Sequence, residues 1–391
     1  MNPPLVVETK SDGCADLAAV LDRCVDKTRR NLPDLVAKPA SWSRDPRGEY
    51  PAWDEAFLSI HNWTTSFFTG MGALAFQRTG DPWFLGQLEK LLPIYDEKIG
   101  QCADETMHDL GFLYSLYSVA LFKLSGERRH RQSGLNAAAV LADRFVPQGQ
   151  YIRAWGRVDE RDTEYAGLAI IDSLMNMPLL YWASAESGDP KFREIAIKHT
   201  DTTLRHFVRA DASVFHAFRF DLVTGEPAGG DNYGGHSIES QWARGTAWAM
   251  YGFVLAFSHT KNRRYLDASV VLTERFLGLL DEELVPVWDF RLEQGNDPVR
   301  DSSAAAIAVC AIQELEALGW ATGVMGEYKR ALIERLCRAD YFDRDPACRG
   351  ILRNGQVGTR QGEARNAYTS WGDYFLMQAL AREIGLEVSW W

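Results

Sequence analysis

Alternation of apolar and polar residues with a period of two, the mark of a half-buried strand, is scarce in this 391-residue chain. No run is long and apolar enough to cross a bilayer: the most apolar stretch, roughly residues 165–185, is interrupted by Asp172, Asn176 and Pro178. Cysteine is sparse, six residues at 14, 24, 102, 310, 337 and 348 with no CxxC pair, which excludes a disulfide framework or a zinc ribbon. The start, MNPPLVVETKSDG, has no basic segment followed by an apolar core, so no secretory leader is expected and a reduced, cytoplasmic enzyme is the simplest expectation. Positive charge is in short supply. Lys plus Arg number 42 against 53 Asp plus Glu, a formal charge of −11 that argues against a nucleic-acid or anionic-membrane surface. An anionic substrate would need a local basic pocket. The eight histidines (61, 108, 130, 199, 206, 216, 236, 259) form no HxxxH or comparable spacing, so no metal site is expected. The glycine-rich AGGDNYGG lacks the strand-then-helix setting of a phosphate loop, and no GxSxG stands out.

Helical periodicity is what the chain has in abundance. ADLAAVLDRCVDKT, FLGQLEKLLPIYDEKI, LGFLYSLYSVALFKL, LNAAAVLADRFV, FREIAIKHTDTTLRHFV, TAWAMYGFVLAFSH and SAAAIAVCAIQELEAL all place apolar residues at i, i+3, i+4 spacing. A short punctuation recurs between them, as FQRTGDPWF, KLSGERRHR, AESGDPKFRE and SHTKNRRYLD. Each predicts a helix ending at a Gly or Asn in left-handed geometry, a short polar turn, and a new helix. Repeated at intervals of about 45 to 75 residues, this is a series of stacked helical hairpins. Some helices are apolar on most faces and others are charged on one face, as an inner and an outer ring require. The expected fold is all-α, a toroid of about six hairpins, the (α/α)6 barrel, with an open solenoid as its competitor. It would occupy residues 1–391 as one domain, the first dozen or so residues extended.

Two acids stand in apolar company. Asp109 follows His108 at the head of MHDLGFLYSLYSVALF, and Asp172 lies in IIDSLMNMPLLYWAS. Pro178 is tolerated only in a first helical turn, which puts Asp172 at or just before a helix start, as Asp109 is. Successive inner helices of a toroid run parallel, so both carboxylates can face one mouth. Asp109 is equally compatible with capping its helix, a contribution of about 1 kcal/mol. Asp172 favours chemistry, because an ionised acid among Ile, Leu and Met is costly unless paired. Thirteen tryptophans are many, and flat aromatic faces beside carboxylates suit sugar rings. Of Trp63, Trp155, Trp242, Trp248 and Trp371, two or three are expected only to pack.

The stretches NWTTSFFTGM, MHDLGF, IIDSLMNMPLLYWAS, FHAFRFDLVTGEP, WARGTAW, DSSAAAIA and SWGDYFLMQAL, running from about residue 60 to 380, resemble the unsaturated glucuronyl hydrolases, glycoside hydrolase family 88. That resemblance implies an (α/α)6 barrel without metal or organic cofactor. The substrate it implies is an unsaturated uronyl oligosaccharide, a polysaccharide-lyase product whose terminal uronic acid carries a C4=C5 double bond. It implies hydration of that double bond, with Asp172 as acid/base and Asp109 binding ring hydroxyls and holding charge. It further implies Trp63, Phe67, Trp155 and Trp248 as aromatic walls, His108 and His216 as polar contacts, and Arg244 as partner of the substrate carboxylate. The family's usual QGY and WxRGQAW read here Gly234-Gly235-His236 and WARGTAW, with Thr246 at the second glutamine. Altered substrate preference is expected, with His236 and Arg360 or Arg365 as substitute contacts. A monomer or homodimer is expected. The rivals are the sister activity of family 105 on unsaturated galacturonyl-rhamnose, an α/α-barrel sugar isomerase or epimerase, which would need paired histidines, and a non-catalytic sugar-binding relative.

Overall fold

The computed structural model describes residues 16–40, 44–50, 56–292, 299–357 and 366–391; the N-terminal segment expected to be extended, and Arg360 and Arg365, lie outside them. Helices carry the architecture. They are α1 (Leu17–Ala37), α2 (Thr65–Thr79), α3 (Pro82–Leu88), α4 (Leu92–Gly100), α5 (Leu110–Tyr114), α6 (Ala120–Ser125) and α7 (Arg128–Ala142). The second half adds α8 (Met177–Ser187), α9 (Pro190–His206), α10 (Ala243–Thr260), α11 (Arg263–Leu277), α12 (Ser302–Ala317), α13 (Gly323–Leu336) and α14 (Ser370–Glu383). A π turn over Ser115–Val119 joins α5 to α6, so the apolar run after Asp109 is one rod with a widened middle.

The recurrent punctuation sets the helix ends. Gly80, Gly126 and Gly188 close α2, α6 and α8 at φ of 69°, 72° and 77°, where a Cβ would be strained. Asp81 and Asp189 then cap α3 and α9, each of which opens with a proline. The fourth turn departs from expectation. Lys261, not Asn262, takes the left-handed conformation (φ 59°), because the Asn262 side chain is used to accept the Arg264 N–H as the cap of α11. The helix expected across LNAAAVLADRFV also stops early: Phe145–Val146 forms a strand that pairs with Tyr151–Ile152.

Neighbour order follows burial. α10, α12 and α14 bury nearly every residue of their first three turns, whereas α11 buries only Tyr265, Leu266, Ser269, Leu272, Thr273, Phe276 and Leu277, one stripe. Going round the fully buried helices, α2 touches α5, and α5 touches α8 and the turn before it. That turn and α8 touch α10, α10 touches α12, α12 touches α14, and α14 returns to α2. The striped helices lie outside: α1 and α3 on α2, α7 on α5 and α8, α9 on α8, α11 on α10, α13 on α12. Each large apolar side chain buried in this arrangement contributes about 1.5–3 kcal/mol. No described helix is long and apolar enough to cross a membrane.

Short antiparallel strands decorate one end. They are β1 (Arg44–Asp45), β2 (Phe145–Val146), β3 (Tyr151–Ile152), β4 (Leu168–Ile170), β5 (Ala217–Phe220), β6 (Pro227–Asp231) and β7 (Tyr368–Thr369), paired as β1–β7, β2–β3 and β4–β5–β6. In the largest sheet Ile170 pairs with Ala217, and Ala217 with Asp231. This register sets the chain just after β4, just before β5 and just after β6 side by side.

Candidate active site

Asp172 follows β4 by two residues, in a 3-10 turn (Ile171–Asn176) that leads into α8. The sheet register therefore delivers His216 beside it, and the His216 carbonyl accepts the Ile171 N–H at 2.9 Å. His216 Nε2 stands 3.6 Å from Asp172 Oδ2. On its far side, His216 Nδ1 accepts two backbone N–H groups, from Tyr233 at 3.0 Å and Gly234 at 2.7 Å. With Nδ1 so used, the ring proton sits on Nε2 and points at Asp172. Burial, with help from Arg244, pulls the His216 pKa down to about 3, so this imidazole is neutral. Asp172 Oδ2 is enclosed and receives no hydrogen bond from the described residues, while the side chain as a whole keeps 14% exposure. Burial raises the Asp172 pKa to about 6 against the lowering pull of Arg244 and a backbone hydrogen bond.

Asp109 occupies the cap position of α5, yet its side chain makes no capping bond. The structural reading of this residue as a helix cap therefore falls away. Its carboxyl lies 3.4 Å from His108 Nε2, a second buried and neutral imidazole, whose pKa burial lowers. Burial first, and then the charge of Asp172, push the Asp109 pKa up to about 8, while Arg144 and Lys98 oppose the shift. The two acids are thus electrostatically coupled, and their titration belongs to the pair.

Arg144 was not anticipated. Fully enclosed, it donates to the carbonyls of Thr106 (2.7 Å), Arg153 (2.9 Å), Ala154 (3.1 Å) and Gly156 (2.9 Å), holding the loop of Trp155 against the segment that leads to Asp109. Its place in the apolar-then-basic run VLADRF gave no sign of this. Asp289 is similar: it accepts the N–H groups of His236 (2.8 Å) and Gln241 (3.0 Å) and the Ser240 hydroxyl (2.6 Å), and so shapes the loop after β6.

The aromatic residues separate into wall and support. Trp63 stacks on Trp371 (5.0 Å, 26°) and meets Phe67 and Phe112 edge-on or tilted. Trp155 lies edge to face with Tyr165, Tyr233 and His216. Both Trp63 and Trp155 are partly exposed. Phe67 and Trp248, expected as walls, are instead fully buried. Phe67 packs behind Trp63 and Phe112, and Trp248 lies between Phe112 and Phe375, because inner-helix positions facing the ring interior are covered by their neighbours. They support the walls and do not present a face.

Arg244 also differs from expectation. Its guanidinium bonds Asp301 Oδ2 at 2.9 Å, Val357 O at 2.8 Å and Gln356 O, and it is sandwiched against Trp242 (4.6 Å) and Trp371 (5.2 Å). The group expected to be a free partner for a substrate carboxylate is already neutralised by Asp301, a residue within the quoted DSSAAAIA. Neither replaced glutamine position reaches the mouth directly. A Cβ on Gly234 would lie 3.0 Å from the Trp242 indole, and the buried Thr246 hydroxyl bonds Trp242 O at 3.0 Å. His236 is partly exposed at the rim, its ring 6.2 Å from that of Trp288.

Coupled acids with raised pKa values, each faced by a neutral imidazole and set among aromatic rings on a helical scaffold, suit acid/base chemistry on a sugar, and the comparisons with known proteins show a sugar-cleaving hydrolase. A sequence profile for Glycosyl Hydrolase Family 88 matches residues 38–323. The unsaturated glucuronyl hydrolase of Bacillus sp. (strain GL1) is 33% identical over 84% of this chain and 88% of its own length. An unsaturated chondroitin disaccharide hydrolase of Streptococcus pyogenes serotype M1 is 32% identical over 94% of this chain and 91% of that protein. The crystal structure of the Bacillus sp. GL1 enzyme superposes with a TM-score of 0.88, covering 96% of this chain and 99% of that one at 31% identity. The chain belongs to glycoside hydrolase family 88.

Proposed function

We propose that the chain is a single-domain (α/α)6 barrel that removes a 4,5-unsaturated uronic acid from the non-reducing end of oligosaccharides released by polysaccharide lyases. The cyclic order of the buried helices supports the barrel. The five described cysteines are free thiols, which supports a cytoplasmic setting. The relatives' activities on unsaturated glucuronyl and chondroitin substrates support the substrate class.

The chemistry is hydration of a vinyl ether. Asp172 gives a proton to C4 as electron density leaves the C4=C5 bond, and positive charge develops at C5 and the ring oxygen. The conjugate carboxylate then takes a proton from water as the water oxygen bonds C5. The resulting hemiketal opens at the C5–O5 bond to a ketone, and the hemiacetal left at C1 collapses, releasing the remaining sugar as an alcohol. One water is consumed and Asp172 regains its proton. A general acid at neutral pH must hold that proton, and burial carries Asp172 part of the way by raising its pKa to about 6. The substrate carboxylate adds a further negative charge and favours the protonated pair.

One observation carries this reading: Asp172 Oδ2 is enclosed against the Nε2–H of His216 and has no hydrogen bond among the described residues, and we assign its other oxygen to the reacting carbon. Asp109, the more strongly shifted acid, keeps its own proton near neutrality and is the contact for ring hydroxyls. Gly234 and Thr246, turned to Trp242 and the helix interior, support a substrate preference different from that of glutamine-bearing relatives. The test is turnover of a panel of lyase products with different neighbouring sugars, followed by loss of the double bond's ultraviolet absorbance. Asp172→Asn is expected to lose about 10² to 10⁴ of kcat with the fold retained. Near-normal turnover by that variant would remove Asp172 from the role.

A further inference from the structure

Asn176 ends the turn that carries Asp172 and is fully buried, but its side chain does not cap α8. It reaches across to the segment that carries the other acid. Its Oδ1 accepts the Phe112 N–H at 2.7 Å, one of the free donors at the start of α5. That bond fixes the amide orientation, so Nδ2 is a donor and only a donor. Nδ2 stands 3.3 Å from Asp172 O and 3.3 Å from His108 Nδ1. The approach is possible because residue 111 is glycine: a Cβ there would fall 2.2 Å from the Asn176 Cα.

His108 Nδ1 has a second neighbour, the Ser173 hydroxyl at 3.0 Å. A hydroxyl can donate or accept and so accommodates either tautomer. The amide NH2 cannot, since a proton on Nδ1 would face its hydrogens. Resting on the proposed role of the Asp109–Asp172 pair, we infer that Asn176 is a positioning residue that holds His108 with its proton on Nε2, toward Asp109. The consequence is chemical. Facing an N–H, Asp109 cannot pass its proton to His108, and the proton stays on the Asp109 carboxyl. Facing a bare Nε2 lone pair, Asp109 would donate into it, and its proton would be committed to a hydrogen bond directed at His108. Asn176 thus links the two acid-bearing helix starts and decides which way one of them can donate.

The experiment uses 15N-histidine-labelled protein, with the tautomer of His108 read from its ring nitrogen shifts and assigned by comparison with His108→Gln. In the wild type Nε2 is expected to carry the proton. Asn176→Asp replaces the donor by an acceptor while keeping an oxygen for Phe112 N–H, and it is expected to move the proton to Nδ1. Its kcat on the turned-over lyase product is expected to fall about ten- to a hundredfold, with KM little changed and the alkaline limb of the pH profile displaced. Asn176→Ala, the second variant should the aspartate fail to fold, is expected to give mixed tautomers and a smaller fall in kcat. Ser173→Ala, which leaves the amide in place, is expected to retain the Nε2 proton. A wild-type His108 protonated on Nδ1, or a folded Asn176 variant with wild-type shifts and pH profile, overturns the inference. The spectra need no substrate, so a wild type that turns over no lyase product refutes the proposed function and leaves the tautomer result standing.

Discussion

Replacing Asp301 by Asn isolates the charge that balances Arg244. The isostere keeps Oδ1, which accepts the N–H groups of Ser303 (3.1 Å) and Gln356 (3.3 Å) and the Ser303 hydroxyl (2.6 Å), but turns an amide toward the guanidinium. Arg244 and Asp301 are 5% and 0% exposed, so solvent cannot take over the lost neutralisation. Breaking such a pair from one side costs about 3–5 kcal/mol, because the surviving charge stays buried. For 391 residues the unfolding entropy near the transition is roughly 0.8 kcal/mol per kelvin, so the expected fall in Tm is about 4–6 °C. A second effect has the opposite character. The unbalanced Arg244 stabilises the Asp172 carboxylate more strongly and lowers its pKa from about 6, so the alkaline fall in rate begins at lower pH. Thermal melts and a pH profile of kcat/KM on one lyase product measure both. Adding Arg244→Met to Asp301→Asn is expected to recover part of the lost stability, since no unpaired charge remains. A Tm equal to that of the wild type together with an unmoved pH profile would refute the assignment of Asp301 as the neutralising partner.

The acids themselves set a pH dependence of stability. Asp109 and Asp172, at about 8 and about 6 in the folded chain, bind protons that the unfolded chain has released above its ordinary carboxyl pKa near 4. Their contribution is full below that value and is lost as pH rises toward about 8; Asp109→Asn is expected to flatten this decline in melts across that window, and an unchanged decline would refute the raised value. Gly234→Ala places a methyl 3.0 Å from the Trp242 indole, at an expected cost of about 1–3 kcal/mol in denaturant unfolding and with altered Trp fluorescence. Unaltered stability and emission would show that Trp242 has room to yield.

Much of the scaffold was legible because it is local. The turns at Gly80, Gly126 and Gly188, with the prolines that open α3 and α9, set the helix ends through backbone geometry alone. Pro178 likewise placed the start of α8 just after the turn of Asp172. Reading failed where a residue had two local uses, as at Lys261 and Asn262, or where a short pairing overrode periodicity, as at Phe145–Val146. In the site, Asn176 had been visible as a polar interruption of an apolar stretch, but its partners Phe112 and His108 lie more than sixty residues upstream. Arg144 gave no sign, since four carbonyls from two segments, Thr106 and residues 153–156, have no sequence signature.

The sequence by itself determined the helices, their alternating burial, and two acids at helix starts, because propensity, capping and hydrophobic period act over a few residues. Tertiary structure alone decided what surrounds those acids. It buried Phe67 and Trp248 and left Trp63 and Trp155 partly open, paired Arg244 with Asp301, and set one neutral imidazole against each carboxyl. Desolvation and Coulomb interaction depend on distance through space, and those distances exist only once remote segments have been brought together.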